Sequence, residues 1–148
     1  MAGRGVPVEI PGPGTTATVG VFGVEVLGPR RRYASPNDGS IVLLITASGR
    51  SALLSGDIET YAQADIGPVR TDVLKVPHQG AATSDPDWLA ASAGVIAIVS
   101  VGPNDFGHPS PGVVETLEDA GSTVLRTDRD GDVVLRFDRL PAPLPSAP

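Results

Sequence analysis

Three apolar runs limit what this chain can fold into. Ser40–Ala47 (SIVLLITA), Asp72–Val76 (DVLKV) and Gly94–Val101 (GVIAIVSV) are rich in Val, Ile and Leu, and a glycine or a proline follows each within two residues. Runs this short and sharply bounded fit buried β-strands. They fall well short of the roughly 18 apolar residues that a membrane-spanning helix needs. Between and around them lie other short elements. Val19–Leu27 reads as a strand ended by Gly28-Pro29, and Arg30–Gly39 as a polar loop. Ser51–Ser55 pairs with Ser40–Ala47 in a hairpin around Ser48-Gly49-Arg50. Ile58–Ile66 fits a short helix or turn. Asp85 caps a helix over Trp88–Ala93, with Pro86 in its first turn. Ser110-Pro111 opens a helix through Ala120, and Gly121 stops it. Val124–Arg126 and Asp132–Asp138 read as further strands. This succession of strand, helix and strand predicts an α/β fold.

At 148 residues the chain is the size of one domain. Its 18 glycines and 15 prolines gather at the ends and in the turns. Residues 1–16 read as a flexible Gly/Pro-rich lead-in, 17–139 as the folded part and 140–148 as a Pro-rich tail. Cysteine is absent, so disulfides, thiolate ligands and cysteine nucleophiles are excluded. The only histidines are His78 and His108, so a metal site must lean on carboxylates or on another chain. The net charge of −6 lacks the basic balance of a stand-alone nucleic-acid binder, and Arg30, Arg31 and Arg32 form the main local basic cluster.

Three segments share a layout in which polar residues and a glycine follow an apolar strand. They are Ser55-Gly56-Asp57, Pro77-His78-Gln79-Gly80 and Asn104-Asp105-Phe106-Gly107-His108-Pro109. Strand ends of this kind are where α/β folds gather ligand sites. Asp57 is a candidate hard oxygen ligand and His78 a candidate nitrogen ligand. Asp57 equally fits a helix cap or turn residue in front of Ile58-Glu59, and His78 an ordinary loop residue.

Five blocks, in order, carry a resemblance. They are Asn37-Asp38-Gly39-Ser40 with IVLLI, LLSGDIE (53–59), DVLKVPHQGAATS (72–84), AIVSVGPNDFGHP (97–109) and LRTDRDGDVVLRF (125–137). Together they resemble the second half of the metallo-β-lactamase-fold domain of ComEC-type DNA-internalisation competence proteins. The resemblance implies an α/β fold equivalent to the second half of an αββα sandwich, a mixed sheet with flanking helices, its first half missing. It implies that Asp57 bridges two divalent metal ions, Zn²⁺ or Mn²⁺, and that His78 is a late metal ligand. The metals would activate water against a DNA phosphodiester. In the implied site His108 touches substrate phosphate or orders its loop, and Asn37 and Ser40 orient water or phosphate. Gln79 stands where the family has a second histidine; it can hydrogen-bond substrate but is a poor metal ligand. The last block implies a closing hairpin.

The family's early His-x-His-x-Asp-His motif is absent from these 148 residues. Asp57 and His78 alone do not hold two cations tightly, so the resemblance implies weak or no activity for the isolated chain. The partners it implies are DNA, reached through the metal, and either a missing N-terminal half or a second copy. DNA affinity is expected to depend on metal and to fall steeply with salt. The family domain adjoins an inner-membrane channel and is proposed to face the extracytoplasmic side, while no segment of this chain spans a membrane. A non-enzymatic assembly module that has lost its metals is the alternative. A small-molecule hydrolase such as a lactonase fits the LKVPH and Gly-His-Pro blocks less well.

Overall fold

A computed structural model describes residues 9–144. Seven strands form one mixed sheet in sequence order: β1 (Thr16–Val19), β2 (Phe22–Gly28), β3 (Val42–Ala47), β4 (Arg50–Leu54), β5 (Val73–Lys75), β6 (Ile96–Val99) and β7 (Thr123–Arg126). The first four pair antiparallel, and β4 to β7 pair parallel. The parallel half needs crossovers, and three helices supply them. These are α1 (Thr60–Ile66), α2 (Pro86–Ser92) and α3 (Pro111–Asp119). Each contributes to one core, with Ala62, Trp88, Leu89, Val113 and Leu117 packed against Leu53, Leu74, Ala97 and Val99 of the sheet. All three helices therefore lie on the same face. No helix among the described residues is long and apolar enough to cross a membrane.

The local signals account for most boundaries. Ser48 and Gly49 both take positive φ, which makes the tight turn between β3 and β4. Asp85 accepts from the backbone N–H groups of Asp87 and Trp88 at 2.8 and 3.0 Å, and Pro86 opens α2. Gly121 takes φ +92° just past α3.

Two sequence expectations are corrected. Val19–Leu27 is not one strand, because Gly20 at φ +62° turns the chain and makes β1 and β2 a hairpin. Asp132–Asp138 is not a strand, and the expected closing hairpin does not form. After β7 the chain enters a single helical turn, α4 (Thr127–Asp130), and Asp130 accepts from the Arg126 backbone at 2.6 Å. The Arg126 guanidinium grips Asp128 at 2.7–3.0 Å. That turn sends the chain across the sheet instead of along the edge of β7, so no neighbour offers a strand ladder. The alternating residues Leu135 and Phe137 instead pack, with Leu140, on a second cluster around Ala52, Val73 and Ile96. The expectations for residues 1–8 and 145–148 lie outside the described residues.

Candidate functional site

The carboxyl ends of β4, β5 and β6 carry three loops side by side. The first, Ser55-Gly56-Asp57, depends on Gly56, which takes φ +58°; a Cβ there would meet the Ser40 Cβ at 2.6 Å. The Asp57 backbone N–H donates to the Ser40 hydroxyl at 3.1 Å. Asp57 keeps 48% of its side chain exposed, and its Oδ1 lies 3.6 Å from the Lys75 ammonium. Lys75 donates to the Gly56 carbonyl at 2.8 Å. Burial pushes the Lys75 ammonium below its usual range, and Asp57 only partly offsets this.

The second loop is strained. His78 and Gln79 both take left-handed backbone conformations, with φ +44° and +54°. Each such non-glycine residue costs about 1–2 kcal/mol. The surroundings enforce the loop. The His78 N–H donates to the Gly56 carbonyl at 3.2 Å, the Ala81 N–H to the His78 carbonyl at 2.9 Å, and the Ser110 N–H to the Gly80 carbonyl at 2.8 Å. Gly80 itself has no room for a side chain, since a Cβ would lie 2.6 Å from that of Pro109. The first and third loops thus clamp the second.

The third loop is organised by Asn104. Its Nδ2 donates to the carbonyls of Gly102 and His108 at 2.9 Å, and its Oδ1 accepts from the backbone of Phe106 and His108 at 3.1 and 3.0 Å. This brings the two histidines together. Their rings meet edge to face at 5.5 Å, and Phe106, largely exposed, stacks on His108 at 5.9 Å.

Two acidic residues complete the neighbourhood, and neither was singled out from the sequence. Asp38 is 1% exposed and accepts from the backbone N–H groups of Glu59 and Ala62 at 2.9 and 3.1 Å. It therefore caps α1 from another segment, the task that Asp57 could have had by its position. Glu59 is 19% exposed and collects donors. The Ser35 hydroxyl donates to it at 3.1 Å and the Asn37 amide at 3.4 Å, and the Thr83 hydroxyl also donates; His78 Nδ1 stands 3.3 Å away without an aligned hydrogen bond. Burial pushes its carboxyl up, but the hydrogen bonds from Thr83, Asn37 and Ser35 and the neighbouring His78 outweigh it. The carboxyl ends below the usual range. Sequence alone offered no pointer to either residue beyond the Asn-Asp-Gly and Gly-Asp-Ile-Glu strings themselves.

Of the residues expected at a site, Asp57, His78 and His108 thus stand on adjacent loops. Ser40 and Asn37 turn toward protein partners, Asp57 N–H and Glu59, and Gln79 is exposed at the rim. These donors do not by themselves fit a bound Zn²⁺ or Mn²⁺ pair. Among the described residues no three of His, Cys, Asp or Glu are placed to hold one ion. Glu59 is engaged by its donors, and the nearest cation to Asp57 is Lys75.

No family model matches the chain. Its homologues among characterised proteins do share a theme. It is 31% identical over 141 residues to ComE operon protein 3 of Bacillus subtilis, which covers 90% of this chain and 18% of that protein. It is 31% identical over 115 residues to competence protein ComA of Neisseria gonorrhoeae, covering 72% of this chain and 17% of that one. It is 34% identical over 123 residues to recombination protein 2 of Haemophilus influenzae, covering 78% and 16%. The chain spans less than a fifth of the length of these curated relatives, and what it resembles is therefore one segment of larger competence and recombination proteins.

Proposed function

We propose that this chain is part of a DNA-uptake protein and corresponds to the second half of a metallo-β-lactamase-type domain. Its inherited chemistry is metal-dependent hydrolysis of a DNA phosphodiester. The observation that carries the reading is the placement of Asp57, His78 and His108 on three adjoining loops at the carboxyl ends of β4, β5 and β6, within a segment matched to competence proteins. The lightly covered side of the sheet supports the same reading. Among the described residues the short segment 132–140, with one 3-10 turn at Phe137–Arg139, is what packs on it, and Phe22 and Leu54 remain exposed there. A parallel sheet is normally covered on both faces, and the first half of a sandwich would provide that cover.

In this reading Asp57 and His78 are one wall of a metal site, and the remaining ligands come from segments outside these residues. The isolated chain is then weakly active or inactive. The alternative is an assembly module without chemistry.

The test is metal and DNA binding by the purified chain beside the Asp57→Ala/His78→Ala double variant. The expected result is weak Zn²⁺ or Mn²⁺ binding by the parent chain, seen only with the metal present in excess, and none by the variant. DNA binding should follow the metal and weaken as salt rises. Equal metal retention by both proteins overturns the hydrolytic reading, and DNA binding indifferent to metal favours the assembly module.

A further inference from the structure

We propose that Glu59 is the positioning residue of this site: it fixes His78 with its proton on Nδ1 and so presents Nε2 as the electron-pair donor. The proposal rests on the reading above that His78 serves the site, but its evidence is local. Glu59 Oε1 stands 3.3 Å from His78 Nδ1, and that nitrogen is fully buried with no aligned hydrogen bond to any group. The Glu59 carboxylate accepts from the Ser35 hydroxyl, the Asn37 amide and the Thr83 hydroxyl. An ionised carboxylate accepts and never donates. A lone pair on Nδ1 would face it as a second acceptor, whereas a proton on Nδ1 turns the contact into an attraction.

The backbone aims the ring at this partner. His78 is held at φ +44° by its N–H bond to Gly56 and by the Ala81 N–H bond to its carbonyl. The Asp57-Ile58-Glu59 string then places the carboxylate two residues past Asp57, at the N-cap of α1, where Asp38 fixes the Glu59 backbone. A carboxylate behind the far nitrogen of a histidine is the arrangement that sets tautomer and ring orientation when the near nitrogen must bind something. Without such a partner, histidine in water favours the proton on Nε2.

Long-range ¹H–¹⁵N spectra of the labelled chain test this directly, recorded at alkaline pH where free imidazole is neutral. Only two histidines exist, so His108→Gln assigns both. His78 is expected as the Nδ1–H tautomer with an excess of about tenfold or more, within the reach of one hydrogen bond to a charged group. Glu59→Gln keeps this tautomer, because its amide oxygen still accepts. Glu59→Ala reverts it toward Nε2–H while the His108 signals stay in place. A proton on Nε2 in the parent chain overturns the proposal, as does an unchanged tautomer in a folded Glu59→Ala protein. If that variant does not fold, the parent and Glu59→Gln spectra decide alone. Adding Zn²⁺ to the same sample separates the two readings. An unmoved His78 Nε2 signal counts against the metal reading and leaves the positioning role of Glu59 intact.

Discussion

On one face of the sheet, α1, α2 and α3 bury Leu53, Leu74, Leu89 and Leu117 completely. On the other face the same strands offer Ala52, Val73, Ile96 and the half-buried Ile45 and Ile98 to the segment 132–140, whose one regular element is a 3-10 turn at Phe137–Arg139. The difference is not one of composition, since β4, β5 and β6 alternate apolar residues toward both sides. It lies in what covers them. The first face has a closed core. The second has a thin cover that leaves Leu54 and Phe22 exposed, which is how a sheet built for two-sided burial looks with one side lightly packed.

Substitutions on the two faces should break this comparison if it is wrong. Leu74→Ala, in the closed core, is expected to cost about 2–5 kcal/mol in urea unfolding. Ile98→Ala on the opposite face should cost about 1 kcal/mol, and equal losses would mean that the second face is as firmly packed as the first. Asp38→Ala removes the cap of α1 and leaves the buried Ala62 N–H and the part-buried Glu59 N–H unpaired, for a loss of about 1–2 kcal/mol read from the urea midpoint. Asp38→Asn, which keeps an acceptor, should recover most of it. Phe137 meets Phe22 edge to face at 5.8 Å within the thin cover. Phe137→Ala should therefore cost about 1 kcal/mol and raise the binding of a hydrophobic dye, while helix content by circular dichroism stays unchanged. A lost helix signal would show that the two faces are not independent.

The smallest effect concerns Glu59, where the site meets the closed core. Its folded-state carboxyl lies below the ordinary range, so it binds fewer protons folded than unfolded at mildly acid pH. Its contribution is present above the unfolded value and is lost as pH falls through the depressed one. Urea unfolding between neutral pH and about pH 3 should show a shallower acid loss for Glu59→Gln than for the parent chain, given the ordinary glutamate range. Parallel curves would mean that the donors around Glu59 do not hold its charge.

Where a signal was local, the sequence carried it. Ser48-Gly49 fixed the β3–β4 turn, Asp85-Pro86 the start of α2, and Gly121 the end of α3, because each acts through backbone geometry or hydrogen bonds within a few residues. The five family-like blocks likewise brought attention to Asp57, His78 and His108, which do stand on neighbouring loops. Asp132–Asp138 misled for the opposite reason. Leu135 and Phe137 do face one apolar cluster, but a strand also needs a neighbouring edge, and the turn of α4, with Asp130 bonded back to the Arg126 N–H, carries the chain away from β7.

The sequence by itself therefore determined the α/β layering, most element boundaries and the loops that carry polar chemistry, since period, caps and turns are written within a few consecutive residues. Only the tertiary structure decided that Asp38 caps α1 from 21 residues away, that Glu59 backs His78 across 19, and that the last segment crosses a sheet face instead of joining it. These outcomes depend on which distant groups meet when the core closes, and a buried polar atom takes whatever partner that packing brings within reach.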